Sequence, residues 1–198
     1  MVLDRISTGI SGLDSLIEAG VPKGYTVLVV GNPGTGKTIL TSHFLYEGLK
    51  NGESGLYVSF SESKEQFYDN VDRIGMDFKD FERTNKFVFL DFASITKEGM
   101  RDALDEVLST IREINAKRLV IDSFSAISQA YETLIDARII LQTILGKIMR
   151  AEGVTSLLIS EIPAGRDVIG SGIEEFVADG ILSWSKAETT PFQRHFTS

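Results

Sequence analysis

Residues 31 to 38 read Gly31-Asn32-Pro33-Gly34-Thr35-Gly36-Lys37-Thr38 and match the pattern G-x-x-x-x-G-K-[ST]. Glycines at Gly31, Gly34 and Gly36 permit backbone turns that a Cβ forbids, so successive N–H groups can converge on a β-phosphate at the positive end of a helix. Lys37 has the reach and charge for β- and γ-phosphate oxygens, and the Thr38 hydroxyl suits Mg2+. The candidate phosphate-binding set is therefore Gly31 to Ile39.

Other residue types complete such a site. Asp122 closes the apolar run Leu119-Val120-Ile121 and suits a second Mg2+ role, holding a metal-bound water or the Thr38 hydroxyl. Glu62 is the candidate for polarising an attacking water, because a carboxylate just beyond a strand can face the γ-phosphate. Ser160 and Glu161 end a later apolar run, where a hydrogen bond can sense that phosphate. Arg166, the only arginine between Pro163 and Gly172, is a candidate contact to a neighbour's phosphate. His43 has no second histidine or acidic cluster at ligand spacing and receives no metal or catalytic role. Glu174 and Glu175 are adjacent, so on a helix they point about 100° apart and form no acid/base pair.

Strands and helices must position these groups. The β-branched run Thr26 to Val30 reads as the strand entering the loop, and Ile39, Leu40, Phe44, Leu45 and Leu49 keep helical spacing from Thr38 to Lys50. Further strands are expected at 55–60, 86–90, 118–122, 155–160 and 180–184. Helices are expected at 64–73, 100–115 and 134–152, with a short one at 13–19 capped by Ser11 or Gly12. Strands alternating with helices imply an α/β fold, a parallel sheet covered on both faces. Ligands of such sheets sit at the C-terminal strand ends, where Gly31 to Thr38, Glu62, Asp122 and Ser160 all fall.

Composition sets the bounds. A length of 198 residues is that of one domain, with about 70% of the unfolded surface available for burial. A net charge of −8, with no Lys/Arg run longer than Lys117-Arg118, disfavours strong nucleic-acid binding. No apolar stretch approaches the ~18 residues of a membrane span, and the first residues lack a signal-peptide layout. The absence of cysteine excludes disulfides and thiolate metal sites and fits a cytoplasmic protein.

Several blocks in order resemble the KaiC-like branch of the RecA superfamily. They are Arg5 to Asp14, Gly20 to Gly24, Gly31 to Thr38, Leu119 to Ser123 and Gly172 to Gly180. The resemblance implies a RecA-like P-loop NTPase core over residues 1–198, binding ATP or ADP with Mg2+ between subunits of a homo-oligomer, usually a hexameric ring. It also implies that the strand at 155–160 lies between the loop strand and the Asp122 strand. Two departures stand out. Where the family carries two consecutive glutamates, the first as the catalytic base, this chain has Ser61-Glu62. The family's Lys-x-Arg-Gly finger is not met near Phe192 to Ser198, where Arg194 is the closest match, and a second ATPase half and a phosphorylated Ser/Thr segment are also missing, so no clock or autokinase role is implied. An arginine finger is worth roughly 10³ to 10⁵ in rate, about 4 to 7 kcal/mol. Slow ATP hydrolysis coupled to an unknown protein partner is the expectation. The competing readings are a non-hydrolysing nucleotide-binding module and a DNA-recombination accessory.

Overall fold

Every residue of Gly55–Ser59 and Arg118–Asp122 is buried, and only a sheet covered on both faces accommodates such strands. The structure, a computed structural model, describes residues 4–129, 153–161 and 178–185. Within them the chain runs β1 (Arg5–Ile6), α1 (Ser11–Leu16), β2 (Val21–Pro22), β3 (Thr26–Gly31), α2 (Lys37–Lys50), β4 (Gly55–Ser59), α3 (Lys64–Asp72), α4 (Lys79–Arg83), β5 (Phe87–Asp91), α5 (Met100–Glu113), β6 (Arg118–Asp122), α6 (Phe124–Gln129), β7 (Thr155–Glu161) and β8 (Gly180–Ser183).

Six of these strands form one sheet in the order β5-β4-β6-β7-β3-β8, parallel at every pairing. β7 fills the slot between β3 and β6, as the sequence resemblance implies. Side chains alternate between the two faces. Leu28, Leu56, Val58, Leu119 and Ile121 pack with Leu104, Val107 and Ile111 of α5 on one side. Val29, Tyr57 and Val120 pack with Phe44 and Leu45 of α2 and Phe67 of α3 on the other. That second side is strongly aromatic: ring centroids lie 4.5 Å apart for Tyr57–Phe67, 5.3 Å for Phe67–Phe78 and 4.7 Å for Phe78–Phe87. Such pairs add about 0.5–1.5 kcal/mol each beyond their buried area.

Local chemistry moves some boundaries. Helix α1 begins at Ser11, its N-cap is Ile10 and no side chain caps it, against the expected Ser11 or Gly12 cap at a helix over 13–19. Glu18 and Ala19 take positive φ values of 54° and 75°, which ends the helix early. A capping box instead starts α3, with Ser63 and Gln66 bonding reciprocally. Elements β1, β2, α4 and α6 have no counterpart in the sequence reading. The expected helix at 134–152, the segment from Pro163 to Gly172 with Arg166, the pair Glu174-Glu175 and the stretch with Arg194 lie outside the described residues.

The residues before β3 are more than a lead-in. Asp14 accepts hydrogen bonds from Ser7 Oγ (2.7 Å), Thr8 N (2.9 Å) and Thr8 Oγ1 (2.7 Å). These bonds outweigh burial and hold its carboxyl below the usual range. Arg118, 2% exposed at the start of β6, donates through Nη1 to Ser7 O and Phe44 O at 2.7 Å each. It also pairs with Glu53 at 2.5 Å and lies 4.8 Å from the Phe44 ring centroid. One guanidinium thus ties the first segment, α2 and the sheet together. Arg118→Ala is expected to destabilise the chain by about 3 kcal/mol, because buried partners lose a charged donor. The expected signature is a lower urea midpoint at unchanged slope.

Candidate functional site

The loop from Gly31 to Lys37 connects the end of β3 to the start of α2. Gly36 sits at φ +92°, in the left-handed region that glycine tolerates. Gly31 is needed for another reason than a turn: a Cβ there would run into the backbone carbonyl of Trp184, just beyond β8. Trp184 in turn donates its backbone N–H to Val30 O at 2.7 Å and its Nε1–H to Thr35 O at 3.0 Å. The loop is therefore held from outside as well as from within. Thr35 Oγ1 donates to Asn32 O at 2.9 Å, while Asn32, Pro33, Gly34 and Gly36 are exposed.

Lys37 opens α2 and is buried. Its Nζ donates to Gly31 O at 2.9 Å and Asn32 O at 3.0 Å, so the ammonium curls over its own loop. Burial pulls its pKa down, and the charges of Glu161 and Asp122 offset part of that. Thr38 and Ile39 follow, both half-buried. Thr38 Oγ1 donates to Asp122 Oδ2 at 3.0 Å, which joins residues 84 positions apart in the chain. Asp122 is 5% exposed and takes two more hydroxyl donors, Tyr57 OH on Oδ2 at 2.9 Å and Ser61 Oγ on Oδ1 at 3.1 Å.

These residues fit a nucleotide with Mg2+. Magnesium in phosphate sites uses one or two protein oxygens and takes the rest from phosphate and water, and the adjacent Thr38 and Asp122 match that demand. No group of three or more His, Cys, Asp or Glu placed to cage a metal occurs among the described residues. The loop and Lys37 supply the donors that phosphate oxygens need.

The remaining predicted residues are placed differently. Glu62 leans on α3: Oε2 accepts from Asn70 Nδ2 at 3.3 Å, and Oε1 is buried without a partner. Burial, and then the charge of Asp122, raise its pKa to about 7. Its surroundings are Ser61, Gln66, Asp69, Asn70 and Arg73. Ser160 is fully buried on β7, beside Val30 in register, and shares a hydrogen bond of 3.1 Å with Ser125 Oγ. Glu161 is the exposed residue at the end of β7, its N–H donating to Ser125 Oγ at 3.3 Å. Tyr57, Ser125 and Trp184 adjoin these residues, and no local sequence pattern points to them. The nearest sequence cue is an aromatic residue with a polar tip, Tyr57, between the apolar Leu56 and Val58.

The family profile described as "ATPase: KaiC" matches residues 6–196. The chain belongs to the KaiC ATPase family. A KaiC-like protein of Pyrococcus horikoshii OT3, known from a crystal structure, superposes with a TM-score of 0.84 at 34% identity, covering 96% of this chain and 84% of that one. A UPF0273 protein of Pyrococcus horikoshii is 36% identical in an alignment of 193 positions that covers 90% of this chain and 76% of the relative. The circadian clock oscillator protein KaiC of Parasynechococcus marenigrum is 31% identical in an alignment of 192 positions that covers 92% of this chain but 37% of that protein. The parallel sheet and its strand order are thus those of a KaiC-family, RecA-like core.

The raised Glu62 carboxyl fixes a sign for stability in this KaiC-family chain. Protonated Glu62 favours the folded state; that contribution is complete below its ordinary value and is lost as pH rises through about 7. Facing charges are Asp122, Asp69 and Arg73, so the neutral variant Glu62→Gln escapes the loss. Its melting temperature, relative to the parent, is expected to be higher at about pH 8.5 than at about pH 5.5. An offset independent of pH would contradict this.

Proposed function

We infer that this chain binds ATP and ADP with Mg2+ in the loop Gly31 to Ile39 and hydrolyses ATP slowly. The observation that carries the reading is the 3.0 Å contact of Thr38 with Asp122 directly beyond the phosphate-binding loop. It puts the two protein oxygens that Mg2+ chemistry uses at one point, at the C-terminal ends of β3 and β6. Bound Mg2+ would neutralise charge developing on the phosphates.

The chain's own residues take distinct roles. Backbone N–H groups of the loop orient the phosphates, and Lys37 exchanges its contacts with Gly31 O and Asn32 O for phosphate oxygens. Thr38 and Asp122 hold the metal side. Glu62, with a pKa near 7, is suited to accept a proton from water at neutral pH, once its carboxylate turns from Asn70. Ser160 acts through Ser125 at the end of β7. The family resemblance supports a homo-oligomer, with a hexameric ring as its finer form, whose nucleotide state is read by a protein partner. The net charge of −8 speaks against nucleic acid as that partner.

One observation favours a second reading, a nucleotide-binding module without turnover. The hydroxyl of Ser61, rather than a carboxylate, reaches Asp122, while the adjacent Glu62 is engaged with Asn70. Steady-state Mg-ATP hydrolysis separates the two. The ATPase reading expects slow turnover that falls at least about 100-fold in Lys37→Ala. Equal rates in parent and variant would refute it. Nucleotide binding without turnover in the parent would favour the second reading. Light scattering with and without Mg-ATP is expected to show an assembly larger than one chain.

A further inference from the structure

Asp122 collects more donors than a metal ligand of this kind requires. Three hydroxyls reach its two oxygens: Thr38 and Tyr57 at Oδ2, Ser61 at Oδ1. Thr38 is the one that serves the metal in the reading above. The other two come from β4 and from the residues immediately after it. Ser59 is the register partner of Asp122, and Tyr57, two residues earlier, points to the same face of the sheet.

The two donors are unlike each other. Tyr57 is fully buried and gripped as a ring, 4.5 Å from the Phe67 centroid and stacked at 5.2 Å on Phe89 with an interplanar angle of 7°. Its phenol has no freedom to follow a wandering carboxylate. Ser61 is exposed, and its backbone N–H is held only weakly by Ser59 Oγ at 3.4 Å. An aspartate carboxylate is a broad rotor about its last torsion, and one donor on a single oxygen leaves that rotation free. Donors on both oxygens, one of them rigid, remove it. Orphaned polar groups elsewhere do not explain the arrangement, since a water could satisfy Oδ1 beside an exposed Ser61.

We propose that Tyr57 and Ser61 are positioning residues that lock the Asp122 carboxylate with Oδ2 toward Thr38, so that Mg2+ arriving with nucleotide meets a ligand already oriented. The proposal rests on the nucleotide and Mg2+ reading above. Ser61 therefore has a use of its own at the position where the family carries a glutamate. Tyr57 is the stronger of the pair, because water cannot replace a buried donor.

The test is the ratio of ADP dissociation constants measured in EDTA and in saturating Mg2+, by calorimetry, for the parent, Tyr57→Phe, Ser61→Ala, Ser61→Thr and Asp122→Asn. Tyr57→Phe is expected to reduce the ratio about 3- to 10-fold, the net size of one ordinary hydrogen bond, with the EDTA value unchanged. Ser61→Ala is expected to reduce it about 2- to 3-fold, and Ser61→Thr to retain it. Affinities that fall equally with and without Mg2+ would assign both hydroxyls a merely structural role and overturn the proposal. So would ratios equal to the parent's while Asp122→Asn loses its own. If Tyr57→Phe does not fold, the comparison of Ser61→Ala with Ser61→Thr decides, and equal ratios overturn the proposal. A parent without Mg2+ dependence, or an Asp122→Asn variant that keeps it, overturns the Mg2+ reading itself.

Discussion

Strand β6 buries a charge at each end, Arg118 at its start and Asp122 at its finish, and much of the rest of the molecule is arranged to make that tolerable. A buried charge persists only when hydrogen-bonded or paired. Arg118 obtains its partners from the first segment, from α2 and from Glu53. Asp122 obtains its own from α2, β4 and the residue after Phe60. Both ends of one five-residue strand therefore recruit the same helix, α2, through the carbonyl of Phe44 at one end and the hydroxyl of Thr38 at the other. The helix that carries the loop lysine is thereby fixed along its length relative to the sheet.

The parallel sheet explains why chemistry gathers on one side. Its interior positions are mostly apolar on both faces, so polar side chains collect where strands end. Aromatic packing beneath, from Tyr57 through Phe67 to Phe78 and Phe87, supplies rigidity without polar atoms. The exception is the tip of Tyr57, where that apolar layer touches the site.

Legibility from sequence followed the range of the interactions. The phosphate-binding loop is a local pattern with a local cause, and the alternation of strands and helices is periodic, so both could be read directly. Asp122 could be read because an acid at the end of an apolar strand has few other uses beside such a loop. Tyr57 could not, because its contact with Asp122 depends on the register between β4 and β6, which no local pattern encodes. Arg118 was invisible for the same reason: its partners, Ser7 and Phe44, lie 111 and 74 residues away. The start of α1 is not legible from a capping pattern, because the helix begins at Ser11 behind an Ile10 N-cap with no side-chain cap at all. Ser160 reads from sequence as a residue at the open strand end, whereas its burial against Ser125 depends on where α6 packs.

Trp184 carries one more consequence. It is the sole tryptophan of the chain, and its indole N–H is bonded to a carbonyl of the phosphate-binding loop. Indole emission depends on the polarity and hydrogen bonding around that ring. The molecule thus contains a single tryptophan wired to the loop, so rearrangement there has an optical readout in the unlabelled protein, free of competing tryptophan emission.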